Sequence, residues 1–99
     1  MDELRYVLKM VQFVQGECLG MEITISIFTN RKYFTVQILR SDLDYEVVYS
    51  DKFYSSEPQV ANVKKFAALY AFVVDEAFRI GYTLIGNKFA KVENRCEAG

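Results

Sequence analysis

The fold of this chain depends on its longest periodic stretch, Glu57 to Ile80, which reads EPQVANVKKFAALYAFVVDEAFRI. Ser56 and Gln59 have the spacing of a capping box, and Pro58 suits a first helical turn because its missing N–H costs little there. Gly81 supplies a left-handed residue after the last turn. The stretch therefore predicts one long α-helix.

Hydrophobic residues occupy one arc of this predicted helix and part of the other. At about 100° per residue, one arc of about 180° is predicted to cover the core. It consists of Val60, Val63, Phe66, Ala67, Tyr70, Ala71, Val73, Val74, Ala77 and Phe78. The opposite arc carries mostly charged side chains, namely Lys64, Lys65, Asp75, Glu76 and Arg79.

The charged arc also contains a small apolar ridge. Phe72 lies in its middle, with Ala68 and Leu69 nearby. Because the core arc is complete without them, Leu69 and Phe72 are predicted to form the centre of a partner-binding patch. Its polar rim is predicted to consist of Lys65, Glu76 and Arg79. The alternative is that the first helix or residues 82–92 cover the ridge within the same chain.

Another amphipathic segment precedes Gly16, near the start of the chain. Acidic residues open it, and apolar residues then recur at helical spacing. These are Leu4, Val7, Leu8, Val11 and Val14. A second apolar row, formed by Tyr6, Met10 and Phe13, either packs inside the chain or makes an oligomer contact. The segment predicts a helix, and its β-branched content leaves a strand interpretation open for part of it.

From Met21 the hydrophobic period changes to two, which is typical of half-buried strands. Three such segments are separated by turns at residues 29–32 and 41–44, and the third runs to about Tyr54. Their inward residues are predicted to be Ile23, Ile25, Ile27, Phe34, Val36, Ile38, Tyr45, Val47 and Tyr49. The predicted core includes Ile25, Val36, Val47, Phe66, Tyr70 and Val74. We expect an α+β fold of order α-β-β-β-α, with helices on one face of a three-stranded antiparallel sheet.

Beyond Gly81, the pair Gly86-Asn87 separates two short β-favouring segments, residues 82–85 and 88–92. They predict a short C-terminal β extension, either a hairpin or one added strand. Residues 94–99 lack apolar periodicity and are expected to fray. Since no linker or repeat interrupts the 99 residues, we expect a single domain.

The composition excludes several classes of function. With no histidine, the chain lacks the usual general base near neutral pH, so it is predicted to be non-catalytic. Cys18 and Cys96 cannot complete a zinc site; they are expected to be free thiols, with one disulfide between them as the alternative. No metal or cofactor is predicted. The longest apolar run, residues 66–74, is far shorter than the roughly 20 residues needed to cross a bilayer, so we expect a soluble cytoplasmic protein.

Aromatic and basic residues meet at one end of the predicted sheet, in what we call the aromatic corner. Alternation along the strands places three rings on the same open face, with basic side chains beside them. The aromatic corner comprises Phe28, Arg31, Lys32, Tyr33, Lys52 and Tyr54. Rings interleaved with positive charge are suited to base stacking and phosphate contact, so this corner is a candidate site for single-stranded nucleic acid or an acidic peptide.

The order helix, three antiparallel strands, helix resembles the topology of the double-stranded-RNA-binding domain. Residues 62–68, which read NVKKFAA, resemble the lysine-rich start of that family's second helix. The long helix here begins several residues before these lysines, and the family's Gly-Pro-His strand loop has no counterpart. The formal net charge of -1 also differs from that of an RNA-binding domain, so the resemblance implies a shared topology rather than membership.

These observations favour a domain that binds rather than catalyses. The predicted function is protein–protein interaction, as a homodimer or as a small modulator of a larger protein such as those encoded by phages and mobile elements. The alternative is single-stranded nucleic-acid binding through the aromatic corner, and a small enzyme that uses acidic residues comes third. No membrane partner is predicted.

Overall fold

The structure of the protein, a computed structural model, describes residues 2–30 and 32–92, with side chains from Leu4 onward. It contains α1 (Asp2–Glu17), β1 (Ile23–Thr29), β2 (Tyr33–Arg40), β3 (Glu46–Tyr54), α2 (Gln59–Arg79), β4 (Tyr82–Ile85) and β5 (Lys88–Lys91). Strands β1, β2 and β3 form one antiparallel sheet in that order, and β4 pairs with β5 in a separate hairpin. The α-β-β-β-α order is therefore confirmed, and the C-terminal extension is a hairpin. The expected fraying of residues 94–99 lies outside the described residues.

One face of the three-stranded sheet is apolar and is covered by both helices. The sheet contributes Ile23, Ile25, Phe34, Val36, Ile38 and Phe53, which are all buried. The first helix contributes Val7, Val11 and Val14, Cys18 follows it in the next turn, and Leu4 and Leu8 pack at the edge of the same cluster. The predicted inward phases of α1, β1 and β2 are therefore confirmed. The opposite face of the sheet carries no helix.

The second apolar row of α1 remains on the surface. Tyr6 and Phe13 are about half exposed, and Met10 is half-buried. The helix also continues one residue beyond Gly16. Among the described residues, neither α2 nor the hairpin buries Tyr6 or Phe13, so these parts of the chain do not cover this row.

The predicted phase of β3 is wrong in its first half. Val47 is 43% exposed and Tyr45 is exposed as well, whereas Phe53 is fully buried and stacks on Phe34 with 4.9 Å between the ring centroids. The cause is a bulge, because the pairing with β2 shifts by one residue so that Val48 has no residue opposite it. An extra residue reverses the side-chain alternation, and the phase read from Tyr45 and Val47 does not continue past it.

The predicted core face of α2 is also wrong, by roughly a quarter of a helical turn. The residues that α2 buries are Asn62, Leu69, Val73, Glu76 and Ala77. Of the predicted core residues, Phe66, Tyr70 and Val74 are half-buried, and Val60, Val63, Ala67, Ala71 and Phe78 are exposed. Leu69 is 0% exposed, and the ring of Phe72 packs on that of Tyr49 with 4.9 Å between centroids. The expectation that Leu69 projects from the surface is therefore wrong, and Phe72 is half-buried.

Two polar side chains on the inward face of α2 explain its orientation. Glu76 accepts a hydrogen bond from Nη1 of Arg40 at 2.5 Å, and Arg40 also binds Asp42 through two further nitrogens. Asn62 donates a hydrogen bond of 2.9 Å from Nδ2 to the backbone oxygen of Tyr54. These bonds satisfy the Glu76 carboxylate and the amide nitrogen of Asn62, although Oδ1 of Asn62 has no partner among the described residues. Buried polar groups are tolerated where partners satisfy them, so the helix lies with these two residues on the sheet.

Only the C-terminal end of α2 has the capping structure that the sequence predicts. The helix starts after Pro58, which has extended backbone angles, and no side chain caps it. The capping box predicted from Ser56 and Gln59 is therefore wrong. At the other end Gly81 has φ of +94°, as predicted for the residue that follows the last turn. This left-handed residue turns the chain directly into the hairpin.

The bulge in β3 leads to a stability prediction that contrasts two of its residues. Phe53→Ala should lower the free energy of unfolding by about 3 to 5 kcal/mol, because it opens a cavity beside Phe34. Val47→Ala should cost less than about 1 kcal/mol, because its side chain is partly in water. Urea denaturation of both variants measures the difference. Equal losses would place Val47 in the core and contradict the observed register.

The contact between α2 and Arg40 leads to a second prediction. Arg40→Met should destabilise the protein by about 3 to 5 kcal/mol, because it leaves the buried Glu76 carboxylate without its partner. Adding Glu76→Leu should recover most of the loss, because both charges are then absent. Arg79→Met is the control, since Arg79 is exposed and approaches Glu76 only to 3.8 Å. A double variant as unstable as Arg40→Met would show that the pair does not act as a unit.

Candidate interaction surfaces

The side of α2 that faces away from the sheet is apolar over most of its length, and we call it the outer stripe. Its residues are Val60, Val63, Ala67, Tyr70, Ala71, Val74 and Phe78. Val60 is 62% exposed and Phe78 is 67% exposed, while Tyr70 and Val74 are half-buried. An apolar side of a helix is normally covered by another element. Within the described residues, only the inward side of α2 is enclosed.

A groove runs along the C-terminal half of the outer stripe. It has a volume of about 930 Å³ and lies between α2 and the first strand of the hairpin. Its walls include Tyr70, Ala71, Val74, Phe78, Thr83 and Leu84, and most of these side chains are apolar. Alanine at position 71 leaves the helix backbone close to the groove floor. The groove can therefore accept a hydrophobic ridge from another surface.

Charged residues border the outer stripe along one edge. Lys64 and Asp75 both lie on that edge and are exposed. Asp75 approaches Arg79 at 3.6 Å, and both side chains remain largely in solvent. Lys64 makes no ion pair with any side chain of residues 4–30 and 32–92. Lys64 is thus free to meet a charge on another molecule, and Asp75 can exchange its exposed contact with Arg79 for such a charge.

The predicted partner-binding residues do not form a common surface. Leu69 belongs to the core, and Glu76 is paired with Arg40 beneath the helix. Phe72 packs on Tyr49 and also lines the groove, and Arg79 is exposed. Lys65 lies elsewhere, at the aromatic corner. The sequence signal for the outer stripe is the spacing of Val60, Val63, Ala67, Tyr70 and Val74, which predicts a core face.

The structure brings together most of the aromatic corner. Tyr33 and Tyr54 lie opposite each other in the β2–β3 pairing, with 5.2 Å between their ring centroids. The ammonium group of Lys52 lies 5.1 Å from the centroid of the Tyr33 ring. Phe28 is exposed on the same face of the sheet, opposite Thr35 of β2. The predicted grouping of these residues on one face is confirmed, and it forms a basic aromatic surface.

The remaining predicted members of the aromatic corner contribute less. Lys32 is exposed, and its backbone N–H donates a hydrogen bond of 3.1 Å to Oδ1 of Asn30. Arg31 lies outside the described residues. Lys65 on α2 also belongs to this corner, although the sequence does not predict it there. Its ammonium group lies 5.3 Å from the centroid of the Tyr54 ring. Its Nζ also donates to Glu57 Oε1 and to the backbone oxygen of Lys52, both at 2.8 Å.

Reactive groups are few in the described part of the chain. Cys18 is a buried free thiol, and burial followed by the charge of Glu17 raises its pKa to about 12. The hydrogen bond from Arg40 lowers the pKa of Asp42. No group of three or more Cys, Asp or Glu residues capable of holding a metal ion occurs in residues 4–30 and 32–92. None of the described helices has both the length and the apolar character needed to cross a membrane.

Comparison with known proteins adds no relative to these observations. No protein-family model matches the chain, and neither a curated protein nor a solved structure is similar to it.

Proposed function

We propose that the chain is a non-catalytic protein-interaction domain and that the outer stripe of α2 is its docking surface. The observation that carries this proposal is the exposure of large apolar side chains at both ends of one continuous stripe, at Val60 and Phe78. Burying such side chains is worth roughly 1.5 to 3 kcal/mol each, so a partner that covers them gains affinity. Contiguous exposed apolar surface on a small domain is typical of an interaction site.

The arrangement of the outer stripe supports a protein partner in particular. Small side chains at Ala67 and Ala71 allow another backbone to approach closely. Lys64 and Asp75 provide a charged edge, which matches the apolar centre and polar rim of protein interfaces. The absence of histidine and the high pKa of the Cys18 thiol support a role in binding rather than in catalysis. A cytoplasmic location and a phage or mobile-element origin stay predictions.

Site-specific photo-crosslinking tests the docking surface. A benzophenone amino acid in place of Ala71 should give adducts of higher mass, with the purified chain alone or in extract of its native host. The same group in place of Ser50, which is exposed on the open sheet face, should not. Phe78→Asp should remove the adducts while leaving the thermal midpoint of the isolated chain nearly unchanged, because that ring is mostly in water. Absence of adducts at position 71 in both settings would exclude the outer stripe as a docking surface.

A second candidate function is single-stranded nucleic-acid binding at the aromatic corner. The observation that favours it is the pair of rings Tyr33 and Tyr54 with lysine ammonium groups beside them on an open sheet face. Such a surface offers stacking and phosphate contact together. The formal net charge of -1 gives no general attraction to nucleic acid, so any binding depends on this local charge.

Fluorescence anisotropy with a labelled oligothymidine at low salt tests this second function. Tyr33→Leu should weaken binding by about 1 to 3 kcal/mol, because one stacking platform is lost. Lys52→Ala should reduce the salt dependence by about one phosphate contact. Lys9→Ala, an exposed change on α1, is the matched control and should have no effect. If the unaltered chain does not bind at low salt, the aromatic corner is not a nucleic-acid site.

A further inference from the structure

We infer that the occupant of the outer stripe is a second copy of this chain, with the two α2 helices packed antiparallel about a two-fold axis near Leu69. This inference rests on the proposed function and names its partner. It follows from the order of large, small and charged residues along the stripe. An isologous contact requires that the same surface be complementary to itself, and α2 meets this requirement in shape and in charge.

The shape of the outer stripe is self-complementary in the antiparallel direction. An axis at the level of Leu69 places Val60 of one copy beside Phe78 of the other, and Ala67 beside Ala71. The two alanines then meet beside the axis, where the backbones approach most closely, and Tyr70 lies at the other edge of the stripe at this level. Large residues meet at both ends. The ridge of valines in the first half of the stripe enters the groove that lines the second half.

The spacing along the stripe is that of a helix-pair seam. Val60, Ala67 and Val74 follow one another at seven-residue intervals, and Val63 and Tyr70 occupy the positions between them. This alternation of three and four residues keeps one side of a helix against a partner helix in left-handed packing. The sheet-facing side of α2 has different constraints, because it also carries Asn62 and Glu76.

The charged edge selects the antiparallel direction. A two-fold axis perpendicular to both helices leaves each edge of the stripe on its own side. Lys64 of one copy therefore meets Asp75 of the second copy, and the symmetry repeats the pair. In a parallel pair, whose two-fold axis runs along the helices, the charged edges of the two copies lie on opposite sides of the seam, so Lys64 and Asp75 cannot pair across it. The antiparallel arrangement uses both charges that the single chain leaves in solvent.

The size of this contact sets the expected strength. A helix of this length is roughly 30 Å long at 1.5 Å per residue, and a seam one helix wide falls at the low end of specific interfaces. Interfaces of this size are weak or transient, so we expect a reversible dimer with a dissociation constant in the micromolar range.

Sedimentation equilibrium of charge-exchange variants tests the pairing of Lys64 with Asp75. The protein concentration runs from about 1 μM to 1 mM, which spans the dissociation constants of weak complexes. Lys64→Glu and Asp75→Lys should each weaken the dimer about tenfold or more, because each creates like-charge contacts at two symmetric places. The combined variant Lys64→Glu/Asp75→Lys should restore dimerisation. Lys9→Glu is the control for Lys64→Glu, with the same change in net charge at a distant exposed site. Circular dichroism of each variant confirms that the helices remain folded.

Two results would overturn the inference. A chain that stays monomeric throughout this range does not form the proposed dimer. If position 71 then crosslinks to another protein, the proposed function is supported and only the identity of its partner is wrong. If the dissociation constant of the dimer is unchanged by the charge exchange but rises in the variant Tyr6→Ser/Phe13→Ser, the dimer contact is on α1 instead. Without crosslinks at position 71, the second result would exclude the proposed function as well. Restoration by the combined variant supports the antiparallel α2 pair, because a purely structural role of either charge would not couple the two positions.

Discussion

The ion pair between Arg40 and Glu76 determines how α2 lies on the sheet. A buried carboxylate is tolerated only where a cation meets it, and the end of β2 is where Arg40 extends beneath the helix. Asn62, more than three turns earlier, is tied to Tyr54 in the same way. With these two polar side chains held inward, Leu69, Val73 and Ala77 complete the core. The apolar residues on the other side of the helix are left without intramolecular cover.

The sequence was sufficient for the elements of the fold and for part of the packing. Inward residues of α1, β1 and β2 followed from period alone, because each of these elements has one apolar and one polar side. The prediction for β3 was wrong before Val48, because this single unpaired residue reverses the alternation of the side chains. Nothing in the amino-acid composition of β3 indicates a bulge. The prediction of the buried face of α2 was wrong because the helix carries apolar residues on two sides. Its orientation depends on Arg40, 36 residues before Glu76 in the chain, and no local pattern encodes that pairing.

The aromatic corner was predictable for the same reason that the β1 and β2 phases were. Tyr33 and Tyr54 are at strand ends on the open face, and hairpin pairing brings them together without any long-range polar contact. Lys65 was not predictable, because its place beside Tyr54 depends on the rotation of α2. That lysine connects the two surfaces of the domain, since the helix that carries the outer stripe also contributes a cation to the corner. The rotation of α2 therefore positions both surfaces together.

The buried thiol of Cys18 has a consequence for following the motions of this domain. With its sulfur enclosed at the C-terminal end of α1 and its pKa raised to about 12, almost none of it is thiolate at neutral pH. A thiol reagent can modify it only when the end of α1 separates from the sheet. Once Cys96 is replaced by serine, the rate at which Cys18 is labelled reports the rate of local opening. This single sulfur then distinguishes fraying of the first helix from unfolding of the whole domain.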